Sequence, residues 1–208
     1  MKTITAITPQ KKSPDRCNIF LDGEFFCGMS LIVVMKNRLK AGMKIDASRI
    51  EEIQLETEKN EALDKAMTLL SSYEKTEKQV SDYLKEKGYT PLVISYVTDK
   101  LGEYGFVSDE SYAMRYADAY AKKKGAKLIA LELKRKGVSE ETAVSATEKL
   151  GDQTEFAVAI AEKYVKNKPL DIKTKQKLYR HLLSKGFSYD EVQSATDRMF
   201  GYSDDEND

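Results

Sequence analysis

The sequence predicts a mainly α-helical protein, in which tandem three-helix repeats form an elongated, curved array after a short N-terminal β-hairpin segment. Three observations predict this fold class. Helix-forming residues dominate from about residue 60 onward. Lysine–glycine pairs end at Gly88, Gly137 and Gly186, each glycine 49 residues after the one before. Two β-favouring runs flank Asp22-Gly23 near the N-terminus.

The first 45 residues favour strands. "ITAIT" alternates apolar residues with threonine, and "CNIFLDGEFFCGM" contains Asp22-Gly23, a signal for a type I′ hairpin because both central residues need positive φ. "KSPD" at residues 12–15 predicts another turn. We therefore expect two or three short antiparallel strands, a helical segment around residues 30–39 that ends at Ala41-Gly42, and a helix that begins at Ser48.

Each later repeat is predicted from apolar positions around its glycine. Positions eight and four before the glycine, and one, six, nine and thirteen after it, are apolar in all three copies. Steps of three and four place these side chains on one helical face. The eighteen residues are Val80, Leu84, Tyr89, Ile94, Val97 and Leu101; Ile129, Leu133, Val138, Ala143, Ala146 and Leu150; and Leu178, Leu182, Phe187, Val192, Ala195 and Met199.

Hydroxyl residues follow each glycine by two positions, where Thr90, Ser139 and Ser188 suit helix N-caps. Ser188 and Glu191 have the spacing of a capping box. Each repeat therefore reads as helix, glycine C-cap, hydroxyl N-cap and helix. A further helix precedes each pair, at residues 62–73, 110–124 and 154–167.

These elements predict five segments. The third copy has a longer first connection, "NKPLDIKTK", and its Pro169 must lie outside a helix interior. The acidic tail is expected to be frayed and solvated. The predicted boundaries are an N-terminal β-rich extension with a linking helix at 1–58, three-helix repeats at 59–107, 108–152 and 153–201, and the tail at 202–208.

Composition argues against several functional classes. Thirty-four basic and thirty-four acidic residues cancel, so a charged partner must be recognised by local clusters. No apolar run is long enough to span a bilayer and the N-terminus lacks a secretory signal, so no membrane partner is expected. Cys17 and Cys27 are too few for a disulfide framework and favour a reducing cytoplasm.

The chemistry-bearing residues are few. The only histidine, His181, lies in a helical pattern, and its simplest interpretation is a helix-surface or boundary residue. The cysteine spacing does not match a structural zinc site, and no phosphate-binding glycine motif is present. We therefore expect no enzyme activity, no cofactor and no metal.

The basic residues of the repeats are of two kinds: some recur at the same position in all three repeats, and others do not. Lysines before each glycine, and Lys100, Lys149 and Arg198 twelve after it, lie in last helical turns, where cations interact favourably with the helix dipole. The unrepeated basic residues form two groups. The first comprises Arg115, Lys122, Lys123, Lys124, Lys127, Lys134 and Arg135; the second comprises Lys163, Lys166, Lys168, Lys173, Lys175, Lys177 and Arg180.

Two interpretations of these groups remain open. They are a solvated surface with no specific partner, or a positive strip that binds phosphate backbone or a protein assembly built on nucleic acid. Tyr112, Tyr116, Tyr120 and Tyr164 are interleaved with them, and tyrosines four residues apart on a helix are more often packing residues than base-stacking platforms.

Two motifs resemble a known family. "GFVSDESYA" supplies Gly105, Phe106, Val107, Asp109, Tyr112 and Ala113, and "KKKGAKLIALELKRKGV" supplies Gly125, Ile129, Glu132, Leu133 and Gly137. Their order, inside a tandem three-helix array, is similar to the RecX family of bacterial recombination regulators. "RCNIFLDGEFFCGMS" is similar to the β-type segment of longer members from Gram-positive bacteria. The resemblance covers nearly the whole chain and is weakest in the third repeat.

The resemblance implies a nonenzymatic regulator that binds the RecA recombinase, chiefly as a filament on single-stranded DNA. It also implies that ATP hydrolysis, strand exchange and coprotease activity in the SOS response are restrained. The first basic group is then the candidate partner-binding site, and Lys173, Lys175, Lys177 and Arg180 form a secondary basic strip. Gly105, Asp109, Gly125 and Gly137 are expected to be structural, with Asp109 capping or pairing at the start of the second repeat's first helix.

Two alternatives stay open. The basic strips also suit a direct binder of single- or double-stranded DNA, and helical repeats suit a scaffold for an unrelated protein. We expect a monomer in each case.

Overall fold

The fold was analysed in a computed structural model, which describes residues 1–11 and 13–201. Four strands and ten helices occur in this part of the chain. They are β1 (Lys2–Gln10), β2 (Ser13–Leu21), β3 (Glu24–Ser30), α1 (Leu31–Lys36), β4 (Lys44–Ile45), α2 (Ala47–Ser72), α3 (Glu77–Glu86), α4 (Pro91–Glu103), α5 (Asp109–Tyr120), α6 (Ala126–Arg135), α7 (Glu140–Glu148), α8 (Thr154–Val165), α9 (Ile172–Ser184) and α10 (Tyr189–Phe200).

The chain divides into two compact units. The first comprises Met1–Leu69 and Leu84–Asp99. The second begins with Leu70–Tyr83 and continues from Lys100 through the second and third repeats. The mainly α-helical class with three-helix repeats and a short N-terminal β segment is therefore confirmed.

An antiparallel sheet of order β3-β2-β1-β4 forms the N-terminal part of the first unit. Asp22 and Gly23 join β2 to β3 with φ of 50° and 92°, which confirms the predicted type I′ hairpin. The turn predicted at residues 12–15 is wrong, because β2 begins at Ser13, which pairs with Gln10. Pro14 is accommodated near the first residue of the strand, beside a register shift. Lys12 lies outside the described residues.

The core of the first unit lies between the sheet and the helices that follow it. Ile4, Ile19 and Leu21 from the sheet are buried with Val34 of α1 and Ile50 of α2. Cys17 and Cys27 are also buried and carry free thiols. Burial raises the pKa of both thiols.

The linking helix and the first helix of repeat 1 are one element. Two helices were expected, one from Ser48 and another at 62–73, but α2 runs without interruption from Ala47 to Ser72. The stretch contains no glycine or proline that would end a helix between them.

The apolar columns of the repeats form their cores. Fifteen of the eighteen side chains are buried, and Tyr89, Leu150 and Met199 are partly buried. Gly88, Gly137 and Gly186 adopt φ of 85°, 97° and 89°, which confirms their role as left-handed C-caps.

The predicted N-caps of the last two repeats are also present. The Oγ of Ser139 accepts a hydrogen bond from the Thr142 N–H. Ser188 and Glu191 form the capping box, with the Ser188 N–H donating to the Glu191 carboxylate at 2.7 Å. The sequence therefore identified both the end of each middle helix and the start of the next.

The third repeat has the longer connection that was expected. α8 ends at Val165, α9 begins at Ile172, and Pro169 lies between them. The predicted acidic tail at 202–208 lies outside the described residues. Within residues 1–11 and 13–201, no helix is long and apolar enough to cross a bilayer.

Candidate partner-binding surface

Contacts between the second and third repeats position the candidate surface. The Gly125 N–H donates to the Lys185 carbonyl at 2.9 Å, and the Lys127 N–H donates to the Gly186 carbonyl at 3.1 Å. A Cβ added at Gly125 would overlap the Gly186 backbone. This close approach brings the start of α6 onto the end of α9, so Lys122 and Lys123 lie beside the third repeat.

A buried glutamine completes the junction. Gln153 donates through Nε2 to the carbonyls of Ala121 and Lys124, at 3.3 and 3.4 Å. Its Oε1 accepts from the Ala126 N–H at 2.7 Å, and its own N–H donates to the Glu191 carboxylate at 2.9 Å. Its hydrogen-bonding groups are satisfied although it is buried, so it fixes the segment between α5 and α6 against the third repeat.

The family-like motif at residues 105–113 has a structural role. Gly105 adopts a φ of 71° where α4 meets α5, and Ser108 accepts from the Ser111 N–H as N-cap of α5. Asp109 lies in the first turn of α5, where a capping role was expected, but its carboxylate accepts from the Glu77 N–H at 2.9 Å and so caps α3 instead. At Gly137, an added Cβ would overlap the Lys78 side chain.

Three residues of the first basic group are engaged by acidic side chains within the second unit. Arg115 Nε lies 2.8 Å from Glu74, Lys124 Nζ lies 2.6 Å from Glu132, and Lys134 Nζ lies 3.0 Å from Glu140. The Lys134 pair is on the surface, where such pairs contribute little. Lys127 Nζ lies 5.0 Å from the centre of the Tyr189 ring.

Lys124 belongs to a partly buried network between α5 and α6. Glu132 accepts from Lys124 Nζ and from the Tyr116 hydroxyl, the latter at 2.8 Å. Burial and the bond to Glu132 raise the pKa of Tyr116 far above its ordinary value. Burial favours the protonated form of Glu132, but its bonds to Lys124 and Tyr116 outweigh this and lower its pKa.

The tyrosines of α5 are packing residues. Tyr112, Tyr116 and Tyr120 stack on one another along the helix, and all three are partly buried against the core of the second repeat. This agrees with the packing interpretation of their four-residue spacing.

Lys122, Lys123 and Arg135 are exposed and have no acidic partner within residues 1–11 and 13–201. Arg135 lies in the last turn of α6. Lys122 and Lys123 line a shallow depression with residues of the third repeat, namely Ile160, Lys163, Tyr164, His181 and Lys185. The structure thus joins part of the first basic group to the third repeat.

Tyr164 separates this depression from a second one, which is lined by Lys168, Pro169, Asp171, Lys173, Thr174 and Lys177. Asp171 is the only carboxylate among the described residues that line either depression, and it caps α9 by accepting from the Thr174 N–H at 2.7 Å. We call the two depressions together the Tyr164 surface; it contains seven lysines, Lys122, Lys123, Lys163, Lys168, Lys173, Lys177 and Lys185, with Tyr164 and His181.

The other members of the secondary strip differ from Lys173 and Lys177. Lys175 Nζ lies 3.8 Å from Asp197 on α10. Arg180 is exposed on α9 but does not line either depression. The strip therefore contributes two lysines to the Tyr164 surface.

An aromatic stack lies at the centre of the Tyr164 surface. The rings of Tyr164 and His181 stack with centroids 4.8 Å apart and an interplanar angle of 28°. Lys168 Nζ lies 3.2 Å from the Tyr164 centroid. Burial, followed by the charges of Lys185 and Lys168, lowers the pKa of His181.

Sequence reasoning missed two members of this surface. It assigned Lys185 to the repeated helix-end lysines and His181 to a helix boundary. Both assignments describe the local helix correctly. The contact between Gly125 and Gly186 also places these two side chains in one depression with Lys122 and Lys123. In the described part of the chain, no group of histidine, cysteine or carboxylate side chains could hold a metal ion.

Four domain models of one family match the chain in order. They are described as "Regulatory protein RecX N-terminal domain" at residues 2–46, and the first, second and third three-helix domains of RecX at residues 62–101, 108–146 and 152–196. A protein named "Regulatory protein RecX" from Bacillus subtilis (strain 168) is 35% identical over 100% of this chain and 80% of its own length. The chain belongs to the RecX family.

Other RecX proteins agree in sequence and fold. "Regulatory protein RecX" from Clostridium perfringens (strain SM101 / Type A) is 33% identical over 96% of this chain and 97% of its own. A structure described as "Crystal structure of regulatory protein RecX" aligns with a TM-score of 0.67 at 27% identity, covering 95% of this chain and 100% of that one. A structure described as "Crystal structure of RecX from Lactobacillus salivarius" aligns with a TM-score of 0.63 at 30% identity, covering 69% of this chain and 97% of that one. These likenesses support a regulatory role.

Proposed function

We propose that this RecX-family chain is a nonenzymatic cytoplasmic regulator that binds the RecA recombinase on single-stranded DNA. Binding lowers the rate of ATP hydrolysis by the filament and restrains its strand exchange and its coprotease activity in the SOS response. The likeness, over the whole of this chain, to a protein named regulatory protein RecX carries this proposal. Two free cysteines are compatible with a reducing compartment.

The Tyr164 surface is the proposed contact. Its seven lysines and single, already hydrogen-bonded carboxylate give it a local positive potential, although the whole chain has no net charge. A nucleoprotein filament presents phosphates and carboxylates, which such a surface attracts over several ångströms and more strongly at low salt.

The proposal is tested by measuring ATP turnover by purified RecA on single-stranded DNA while the chain is added. Turnover should fall at equimolar or lower ratios of chain to RecA. Unchanged turnover at excess chain would refute the proposal.

A charge-reversed variant tests the surface. Lys122→Glu with Lys123→Glu should lose most of the inhibition. Lys40→Glu with Lys44→Glu makes the same charge change at two exposed lysines of the first unit and should inhibit like the parent. Equal inhibition by both variants would remove the Tyr164 surface from the proposal.

A further inference from the structure

We infer that the Tyr164 surface is a binding site for single-stranded nucleic acid, in which the lysines hold phosphates and the Tyr164–His181 stack receives a base. The inference rests on the proposed function for its biological setting, since the strand in a RecA filament is single-stranded.

The lysines supply the phosphate-binding part. Lys122, Lys123, Lys163 and Lys185 converge on one depression from three segments of the chain, and Lys168, Lys173 and Lys177 continue around Tyr164. Within residues 1–11 and 13–201, none of these seven side chains forms a salt bridge with a carboxylate. Apart from Asp171, whose pKa is lowered by its hydrogen bonds with Thr174 and by the nearby Lys173, no carboxylate lines these depressions in the described part of the chain. Such a group of lysines suits a ligand that carries repeated negative charges.

The aromatic stack supplies the base-binding part. Tyr164 and His181 are both partly buried, so their rings are held in place yet reach the depression. Lys168 lies over the Tyr164 ring, where its flexible side chain can exchange a ring contact for a phosphate contact. Ile160 adds apolar surface beside the stack. Sites for unpaired strands combine a positive groove with such aromatic faces.

The combination favours an unpaired strand over two other polyanions. In a duplex the faces of the bases are already stacked on each other, so a duplex would use only the lysines. An acidic peptide would likewise use the lysines and leave the rings without a flat partner. Tyr164 and the α5 tyrosines all pack against the core of their own repeat. The α5 tyrosines still provide an internal contrast, because they line neither depression and the Tyr116 hydroxyl is committed to Glu132.

The first experiment is fluorescence anisotropy at low salt, with the full chain, no recombinase, and a labelled oligothymidylate of about 16 nucleotides. Parallel titrations use an abasic strand and a duplex of the same length, and poly-glutamate. The oligothymidylate should bind more tightly than all three. Equal affinity for the abasic strand would overturn the stacking, and a preference for poly-glutamate would assign the surface to an acidic protein.

Two variants separate the two parts of the site. His181→Ala should weaken oligothymidylate binding about tenfold and leave abasic-strand binding nearly unchanged. Lys122→Glu with Lys123→Glu should abolish binding of both strands, whereas Lys40→Glu with Lys44→Glu should bind like the parent. A His181→Ala variant that binds oligothymidylate like the parent would contradict the inference.

The single histidine gives a second measurement that needs no substitution. Because His181 is the only histidine in the chain, its ring protons give isolated NMR signals. These signals should shift when oligothymidylate is added and stay nearly unchanged with poly-glutamate at equal charge. Unshifted signals at saturating oligothymidylate would overturn the proposed site. If the chain binds single-stranded nucleic acid at this site but does not change ATP turnover by RecA, the proposed function is refuted and the binding site is still supported.

Discussion

Three consecutive lysines, Lys122, Lys123 and Lys124, have different roles although the sequence presents them alike. The first two are exposed and line the Tyr164 surface. Lys124 turns to Glu132 and to the Tyr120 ring, whose centre lies 4.4 Å from Nζ. Sequence reasoning grouped all three as partner-binding, because the direction of each side chain depends on the turn between α5 and α6.

Replacement of Lys124 should therefore cost stability. Lys124→Ala removes the cation that is hydrogen-bonded to the partly buried Glu132, leaving only the more distant charge of Lys136, and should lower the free energy of unfolding by about 1–3 kcal/mol. Lys123→Ala should change it by less than about 0.5 kcal/mol. Urea unfolding curves of the two variants at neutral pH give the comparison, and equal losses would contradict the assigned roles.

The Glu132 network also sets a pH dependence of this stability difference. The fold lowers the pKa of Glu132, so the ionised carboxylate stabilises the folded state at pH values above the unfolded-state pKa of about 4.3. This stabilisation is lost as the pH falls through the folded-state pKa. The stability gap between the parent and Lys124→Ala should accordingly narrow in acid.

His181 should respond to pH and to ligand together. In the free chain its pKa is lowered by burial and by the charges of Lys185 and Lys168, which disfavour the protonated ring. Lys122, Lys123, Lys163 and Tyr164 also line its depression. The phosphates of a bound strand offset the charge of these lysines and should raise the pKa of His181. The strand should therefore bind more tightly as the pH falls from the His181 pKa of the bound chain to that of the free chain. NMR titration of His181 with and without oligothymidylate measures both values; identical values would contradict this coupling.

At the scale of elements, a repeated junction joins successive middle helices. The Thr76 hydroxyl donates to the Lys136 carbonyl at 2.6 Å, just as the Gly125 N–H donates to the Lys185 carbonyl. Thr76 and Gly125 lie 49 residues apart, so the same position in the first and second repeats contacts the glycine end of the middle helix in the following repeat. The glycines therefore do more than end a helix.

A glycine at this position avoids backbone strain at positive φ, and it can also make room for a neighbouring helix. Gly88 and Gly186 distinguish these two effects. Both adopt positive φ, but an added Cβ meets nothing at Gly88 and overlaps Leu128 at Gly186. Gly88→Ala should lower the free energy of unfolding by about 1–2 kcal/mol through backbone strain. Gly186→Ala should cost at least about 2 kcal/mol more, since overpacking is added to the strain. Thermal and urea unfolding test this order; a larger loss for Gly88→Ala would refute the junction.

Much of each element could be predicted from sequence because the 49-residue period repeats the local physics. Apolar columns, glycine ends and hydroxyl caps depend on residues within one or two turns, and the structure contains them. A column of buried threonines was missed: Thr98, Thr147 and Thr196 lie ten residues after each glycine and donate to carbonyls of the preceding turn. An apolar–polar count overlooks threonine, although its hydroxyl is satisfied locally.

The candidate surface was harder to predict, because it depends on contacts between repeats. Subtracting the periodic lysines removed Lys185, which lies in the first depression. Tyr164 was among the interleaved tyrosines, but nothing local distinguishes it from Tyr116, which is packed and hydrogen-bonded. Tyr164 differs from Tyr116 because α8 lies against α9, and the connection between α5 and α6 lies beside both. This arrangement places Tyr164 in the wall of a depression.

At the scale of the whole chain, zero net charge conceals a local positive surface. Thirty-four basic and thirty-four acidic residues balance, yet one carboxylate accompanies seven lysines around Tyr164. The match of four RecX domain models in order accounts for the repeats and the N-terminal segment together. The proposed partner, a recombinase filament on nucleic acid, fits both the family membership and this charge distribution.

We propose that this chain binds a RecA filament through the Tyr164 surface. The most direct measurement of this binding is co-sedimentation with preformed filaments of RecA on single-stranded DNA, held by a nonhydrolysable ATP analogue, at near-physiological salt. The parent chain and the Lys40→Glu/Lys44→Glu variant should pellet with the filament, and Lys122→Glu/Lys123→Glu should stay in the supernatant. A parent chain that stays in the supernatant, or a Lys122→Glu/Lys123→Glu variant that pellets like the parent, would contradict it.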